Sequence, residues 1–215
     1  MHKHKGLGLA RDVFTHDNIS LLKGNIGISH NRYPTHGEFG HGEVQPVWTS
    51  VPYGIAIAHN GQITNYDELV EEVTKTEKRY LNTTSDTEVI LHIFAEELNK
   101  NGNPQTSEEF FDVLCDVVST LFKKVRGAYS ITALIVGKGL VVFRDPRGIR
   151  PLVRGERSNG NGGKDYIFTS ENTMFYSMGY ESKGNVLPGE LIYVDNDGKL
   201  FSKRLVKEEF NPCIF

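Results

Sequence analysis

The sequence predicts an α+β fold in which antiparallel sheets pack against helices. Short apolar segments occur in pairs, joined by the turn signals Gly137-Lys138-Gly139 and Asp195-Asn196-Asp197-Gly198. Helical patterns are grouped after strand pairs and do not alternate strictly with single strands, which favours antiparallel sheets. The segment Tyr129 to Val136 is apolar on both faces, as expected for a sheet that is covered on both sides.

Length and composition indicate one globular domain spanning residues 1–215. The chain is 38% hydrophobic and 24% charged, with a net charge of −3 that argues against nucleic-acid or anionic-membrane partners. No apolar run approaches the ~20 residues that cross a bilayer, and the first residues lack a secretory pattern. Cys115 and Cys213 have no metal-ligand spacing. We therefore expect a cytoplasmic protein in a reducing compartment.

Three helices are predicted from capping patterns. Each begins where Asn, Ser or Thr precedes Glu by three residues: Asn65 with Glu68, Ser85 with Glu88, and Thr106 with Glu109. The first helix is expected over Tyr66 to Lys75, and the second runs to about Asn99. The third carries an apolar stripe of period 3.6, formed by Phe110, Phe111, Leu114, Val117, Val118, Leu121 and Phe122. Cys115 lies on its flank and is interpreted as a packed core thiol.

Strands are predicted for short apolar or β-branched segments bounded by Gly, Pro or Asn. They are Asn25 to His30, Tyr53 to Ala58, Tyr129 to Val136, Leu140 to Arg144, Glu190 to Val194 and Lys199 to Leu205. The polar, glycine-rich stretch Gly155 to Asp165 shows no periodicity and is expected to be a mobile surface loop.

Arg32 is the first candidate binding residue. It follows the strand predicted at Asn25 to His30, and Pro34 biases the intervening Tyr33 away from helix. A guanidinium offers a planar fork of donors that matches a carboxylate. The alternative is a structural ion pair with one of the 27 acidic residues.

Histidines near this segment do not predict a metal site. His30, His36, His41 and His59 are the members of the group. Their spacing matches neither a helical i, i+4 pair nor a zinc finger, and no carboxylate or thiolate cluster accompanies them. Structural or substrate-facing roles are favoured.

Asn60-Gly61 is the second candidate, placed at the end of a strand. Asn-Gly is a strong hairpin signal, but a helix is predicted within a few residues, at Asn65. A side-chain amide beside a backbone N–H offers two donors to one oxygen, as an oxyanion hole requires.

Asp86 is the third candidate. At the first position of a helix its carboxylate stabilises the helix dipole by about 0.3–1 kcal/mol whatever else it does. It is also a plausible acceptor for an ammonium group. A free α-amino acid carries one carboxylate and one ammonium, so Arg32 and Asp86 together match it. If that amino acid is glutamine, attack on its amide also needs the donors at Asn60 and Gly61.

In this order, the three segments resemble the class II glutamine amidotransferases, the N-terminal-nucleophile family. The resemblance implies that Arg32 binds the glutamine carboxylate beside Thr35 and His36. It also implies that Asp86 holds the amino group and that Asn60 and Gly61 form the oxyanion hole. The implied fold is a four-layer αββα sandwich. The likeness extends from Gly6 to Phe215.

Within the family, the segment Phe143 to Leu152 (FRDPRGIRPL) resembles the amidophosphoribosyltransferase branch. That branch takes ammonia from glutamine and delivers it to phosphoribosyl diphosphate in the first committed step of purine biosynthesis. The resemblance implies no cofactor in this domain, with Mg²⁺ expected only in a phosphoribosyltransferase domain, and a homo-oligomeric parent enzyme.

The family's N-terminal cysteine nucleophile, with the strand that carries it, is not found before Gly6, and no phosphoribosyltransferase motif follows. We therefore expect a partial domain that lacks the first strand and has little or no glutaminase activity. The alternatives are a non-catalytic glutamine-binding or interaction module and a domain from another class II amidotransferase.

Overall fold

The computed structural model describes residues 1–32 and 41–208. Helices and strands account for much of this part of the chain. The helices are α1 (Ala10–Val13), α2 (His16–Ser20), α3 (Tyr66–Glu71), α4 (Asp86–Lys100) and α5 (Ser107–Lys124), with a 3-10 turn at His41–Glu43 and a π-helical turn at Glu72–Thr76 that continues α3. The strands are β1 (Val47–Thr49), β2 (Ile55–Ile63), β3 (Gly127–Ile135), β4 (Gly139–Arg144), β5 (Val153–Ser158), β6 (Lys164–Thr169), β7 (Glu181–Asn185), β8 (Glu190–Asp195) and β9 (Leu200–Arg204).

Two antiparallel sheets form, which confirms the predicted α+β class. The larger sheet has the order β1-β2-β3-β4-β8-β9, and the smaller has the order β6-β5-β7. The β2–β3 pair is the longest, with nine residue pairs running from Ile55↔Ile135 to Ile63↔Gly127. Asn60 lies within this pair, on β2.

The larger sheet is covered on both faces because its strands alternate between two cores. In β4, Val141 and Phe143 join the main core with the apolar faces of α4 and α5. Val142 instead joins a second core that includes Tyr166 and Phe168 of the smaller sheet. This alternation of period two gives a helix layer, the large sheet and the small sheet in succession.

The helix starts are placed as predicted, but two of the three caps use other contacts. The full capping box forms only at Thr106 with Glu109. Asn65 makes no cap bond, and its side chain instead bridges to the backbone of Lys124 and Arg126. Ser85 caps α4 by accepting from the N–H of Thr87, while the buried Glu88 carboxylate accepts from Asn82 and Thr83 in the loop before the helix.

The predicted strand at Asn25 to His30 is wrong, because no residue of this segment belongs to a strand. Within the described residues, the edge strand that pairs with β2 is β1 and not this segment. The predicted loop from Gly155 to Asp165 is also wrong. It is the β5–β6 hairpin, whose turn is closed by the Asn159 side chain accepting from the N–H groups of Asn161 and Gly163.

None of the helices within residues 1–32 and 41–208 is long and apolar enough to cross a membrane.

Candidate glutamine-binding site

An open cleft of about 1500 Å³ is lined by residues from the second half of β2, the start of α4 and β6 of the small sheet. Arg32, Asn60, Gly61 and Asp86 all line it. The structure therefore brings four of the six predicted site residues together. The other two, Thr35 and His36, lie outside the described residues.

Asp86 is held at the first turn of α4 by contacts from β2. Its Oδ2 accepts the backbone N–H of Ile63 at 3.3 Å, and its Oδ1 lies 3.3 Å from Nδ1 of His59. Burial alone would raise the pKa of this carboxyl, but the bonds from His59 and from the N–H groups of Ile63 and Thr87 outweigh burial and lower the pKa. The group is therefore an anion facing the cleft, with 24% of its side chain exposed.

Arg32 lines the cleft and follows a segment that is not part of a strand. One of its Nη atoms is 4.0 Å from Oε2 of Glu43, whose other oxygen accepts from Thr84 at 3.0 Å. The structural ion pair considered as the alternative is thus present in part. With 27% of its side chain exposed, Arg32 also contributes to the cleft wall.

Asn60 and Gly61 lie inside β2, not at its end as predicted. The strand continues to Ile63, because Gly61 and Gly127 allow β2 and β3 to approach closely. Gly61 has φ +152°, and a Cβ atom there would lie 1.9 Å from the carbonyl oxygen of Ala128. Only glycine fits this position.

The backbone N–H of Gly61 is directed to the open side of β2. His59 and Ile63, two residues to either side, both donate their N–H groups away from β3, to Gln45 at 2.7 Å and to Asp86 at 3.3 Å. Because alternate residues of a strand share a direction, the N–H of Gly61 points between these two bonds. It stands beside the Asn60 side chain in the cleft wall.

Comparison with known proteins identifies the family. A protein-family sequence model described as "Glutamine amidotransferase domain" matches residues 34–177. The chain belongs to that family.

Curated relatives of this amidotransferase domain are amidophosphoribosyltransferases. The Escherichia coli K12 protein is 40% identical over 213 residues, covering 98% of this chain and 41% of the relative. The Haemophilus influenzae protein is 44% identical over 212 residues, with the same two shares. The Saccharomyces cerevisiae protein is 40% identical over 194 residues, or 90% of this chain and 38% of the relative. The chain spans about 40% of the length of these relatives.

Two solved structures share the fold. One is glutamine phosphoribosylpyrophosphate amidotransferase from B. subtilis complexed with ADP and GMP, with TM-score 0.74 and 28% identity. The other is the structure of an enzyme described as the allosteric regulatory enzyme of purine biosynthesis, with TM-score 0.75 and 28% identity. Each match covers 96% of this chain and 40% of the other. The amidotransferase domain therefore has the N-terminal-nucleophile type of fold.

A loop that sequence reasoning did not assign to the site supports Asn60 in this amidotransferase domain. Residues 145–150 are wrapped around the buried carboxylate of Asp145, which accepts the N–H groups of Arg147 and Ile149 at 3.0 Å each. At the end of the loop, Arg150 reaches Asn60. The FRDPRGIRPL block was noted only as a mark of the branch, and nothing in its local pattern pointed to a residue 90 positions earlier.

Glu88 was assigned only to a helix cap, but it organises the loop before α4. Its carboxylate accepts from the N–H and side-chain amide of Asn82 and from the N–H and hydroxyl of Thr83. Burial raises the pKa of this carboxyl, but the bonds from His92, Asn82 and Thr83 dominate and lower it to about 2. The loop that leads into Asp86 is therefore fixed by a buried anion.

Cys115 does not line the cleft. It lies on α5 within the main core, and burial raises the pKa of its thiol. Such a thiol is a poor nucleophile. In the described parts of the chain, no group of three or more His, Cys, Asp and Glu side chains is arranged to hold a metal ion.

Proposed function

We propose that this domain binds L-glutamine in the cleft lined by the second half of β2. The observation that carries the proposal is the meeting, in one cleft, of a cation at Arg32, an anion at Asp86 and two donors at Asn60 and Gly61. A zwitterionic amino acid with a side-chain amide is the small molecule that satisfies all of them.

Each group has a distinct role in the proposed complex. Arg32 pairs with the α-carboxylate of glutamine, with Thr35 and His36 beside it, and Asp86 accepts from the α-ammonium. The Nδ2 of Asn60 and the N–H of Gly61 donate to the side-chain carbonyl oxygen. These two donors would stabilise the oxyanion that forms when a nucleophile attacks the amide, a contribution typically worth about 3–4 kcal/mol for one such donor.

The relatives extend this proposal to a parent reaction. We infer that the domain serves an amidophosphoribosyltransferase of purine biosynthesis, in which glutamine, phosphoribosyl diphosphate and water give phosphoribosylamine, glutamate and diphosphate. The support is 40–44% identity to the bacterial relatives over 98% of the chain. In this proposal the glutamine step uses no cofactor, and Mg²⁺ acts with phosphoribosyl diphosphate on a phosphoribosyltransferase domain of a homo-oligomeric parent.

The described residues that line the cleft include no cysteine. Cys115 is buried on α5, and a thiol in mid-chain has no α-amino group of its own to act as the base. We infer that residues 1–215 alone bind glutamine and release little or no ammonia from it.

Calorimetry with the purified 215-residue chain tests the binding proposal. L-glutamine should bind, D-glutamine should bind far more weakly, and the variants Arg32→Met and Asp86→Asn should each weaken binding at least tenfold. Equal heats for both enantiomers, or none for either, would refute the site. A glutaminase assay on the same sample should give ammonia at the background rate, and release that depends on a residue of the chain would refute the second inference.

A non-catalytic glutamine-binding module is the second candidate function, favoured by the burial of Cys115 away from the cleft. It predicts the same binding and the same lack of hydrolysis. The genomic sequence on both sides of codons 1–215 separates the two. An in-frame Cys-Gly-Ile segment upstream and a phosphoribosyltransferase sequence downstream support the enzyme, and their absence supports the module.

A further inference from the structure

The side-chain amide of Asn60 is gripped by a guanidinium from another part of the chain. Arg150 donates to Oδ1 of Asn60 twice, from Nε at 3.2 Å and from one Nη at 2.9 Å. A guanidinium has donors and no acceptor, so the amide atom that faces it must be the oxygen. This contact fixes which way the amide is turned.

The consequence is that the NH2 group of Asn60 faces the cleft. Its Nδ2 donates one hydrogen to Oγ of Ser170 at 3.1 Å, and Ser170 also lines the cleft. An amide nitrogen carries two hydrogens, so the second remains to donate to a bound carbonyl. A cation on Oδ1 also polarises the amide and strengthens its N–H donors.

Arg150 is itself held in place by the backbone around it. Its carbonyl oxygen accepts from Oγ of Ser130 at 3.2 Å and from Nε of Arg144 at 2.6 Å. Ser130 is the residue directly opposite Asn60 in the β2–β3 ladder. The buried Arg144 also binds the carbonyls of Gly148 and Val186, at 2.6 Å and 2.8 Å. The chain on both sides of the Arg150 guanidinium is therefore fixed relative to Asn60.

We propose that Arg150 is the positioning residue of the oxyanion hole, which sets the flip and the donor strength of the Asn60 amide without touching the substrate. This proposal rests on the proposed function for the meaning of that hole. The contact itself is a property of the ligand-free chain and is testable without glutamine.

The first test is NMR of the Asn60 side-chain NH2 in the ligand-free 215-residue chain, with its two signals identified by their loss in Asn60→Ala. In Arg150→Gln, both signals should shift and exchange faster with solvent. In the control Arg147→Gln they should stay in place, because Arg147 is in the same loop but pairs with Glu208. Unchanged Asn60 signals in a folded Arg150→Gln variant would overturn the proposal whether or not glutamine binds.

The second test is a double-mutant cycle read by glutamine affinity. Arg150→Gln and Asn60→Ala should each raise the Kd roughly fivefold, in line with the loss of one hydrogen bond. The double variant should be no weaker than Asn60→Ala alone, because Arg150 acts through Asn60. Additive losses would show that Arg150 contacts glutamine directly and would overturn the positioning role.

Arg150→Lys provides the same readouts if Arg150→Gln does not fold. A lysine keeps the charge but has no planar fork, so the Asn60 signals should shift partway and the Kd should rise less than fivefold. If the wild-type chain does not bind glutamine, the proposed function fails while the NMR result still decides the role of Arg150. A Lys variant with wild-type Asn60 signals would overturn it.

Discussion

The Nδ1 atom of His59 lies 3.3 Å from Oδ1 of Asp86 and 3.3 Å from the hydroxyl of Thr87. This contact joins β2 to the first turn of α4, and the imidazole that makes it is 1% exposed. The Asp86 carboxylate, which faces the cleft, is therefore oriented by a side chain from β2 of the large sheet. Its position depends on how the helix packs on the sheet.

Replacing Asp86 with Asn should weaken glutamine binding at least tenfold, because the amide has no negative charge to attract an ammonium group. Calorimetry measures the effect. Asp67→Asn is the matched control, since Asp67 is an exposed acid in the first turn of α3 and does not line the cleft. Equal affinities for Asp86→Asn and the wild type would contradict the assigned role.

Replacing Gly61 with Ala should destabilise the domain by about 3 kcal/mol or more. The added Cβ would lie 1.9 Å from the Ala128 carbonyl oxygen, and φ at this position is +152°. Urea unfolding measures the loss. Gly27→Ala is the control, because its Cβ meets nothing within 4 Å and its φ is not in the left-handed region. A Gly61→Ala variant as stable as Gly27→Ala would show that β2 and β3 are farther apart.

Replacing Glu88 with Gln should lower the free energy of unfolding at pH 7 by about 2 kcal/mol, because charged hydrogen bonds to Asn82 and Thr83 become neutral ones. The folded-state pKa of Glu88 is lowered from 4.5 to about 2. Its stabilising contribution is therefore present above pH 4.5 and is lost as the pH falls toward 2.

Unfolding measured between pH 2 and pH 7 checks this linkage. The Glu88→Gln variant should lose less stability than the wild type between pH 4.5 and pH 2. Glu71→Gln, which removes an exposed pair with Lys75, should follow the wild-type curve. Parallel curves for wild type and Glu88→Gln would contradict the lowered pKa.

Replacing Cys115 with Ser should leave glutamine affinity unchanged, because the thiol is in the core and outside the cleft. In a Cys213→Ser background, iodoacetamide at pH 8 should label Cys115 slowly in the native chain and rapidly in urea, since burial raises the pKa of the thiol. Rapid labelling of the folded chain, or protection by glutamine, would contradict the assignment of Cys115 as a core thiol.

Local signals in the sequence predicted the elements that local physics controls. The apolar stripe and the capping box of α5 were enough to place that helix, and both are confirmed. The apolar β3–β4 hairpin was also placed to within two residues. The smaller sheet was missed, because β5, β6 and β7 carry polar or half-buried residues and their pairing depends on contacts distant in sequence.

The same distinction between local signals and long-range packing applies to the residues of the candidate site. Arg32, Asn60, Gly61 and Asp86 were selected by residue chemistry and by resemblance to a family, and the structure places them in one cleft. Their roles stay predictions. Arg150 was not selected, because its relation to Asn60 arises only when the loop after β4 folds over β2. No spacing rule links residues that meet through tertiary packing.

His59 and Asn60 are adjacent in the chain, yet the side chain of one points toward α4 and that of the other toward Arg150 and Ser170. The two ends of a bound amino acid would therefore be held by different layers of the fold. The ammonium group would be held on the side of α4, and the side-chain amide on the side of Arg150 and Ser170. A shift of about 1 Å between those layers would misplace the contacts to both ends of the ligand. A peptide that contains only part of these layers should therefore not bind glutamine. Proteolytic cleavage within a hairpin or helix that supports these contacts should abolish binding in one step.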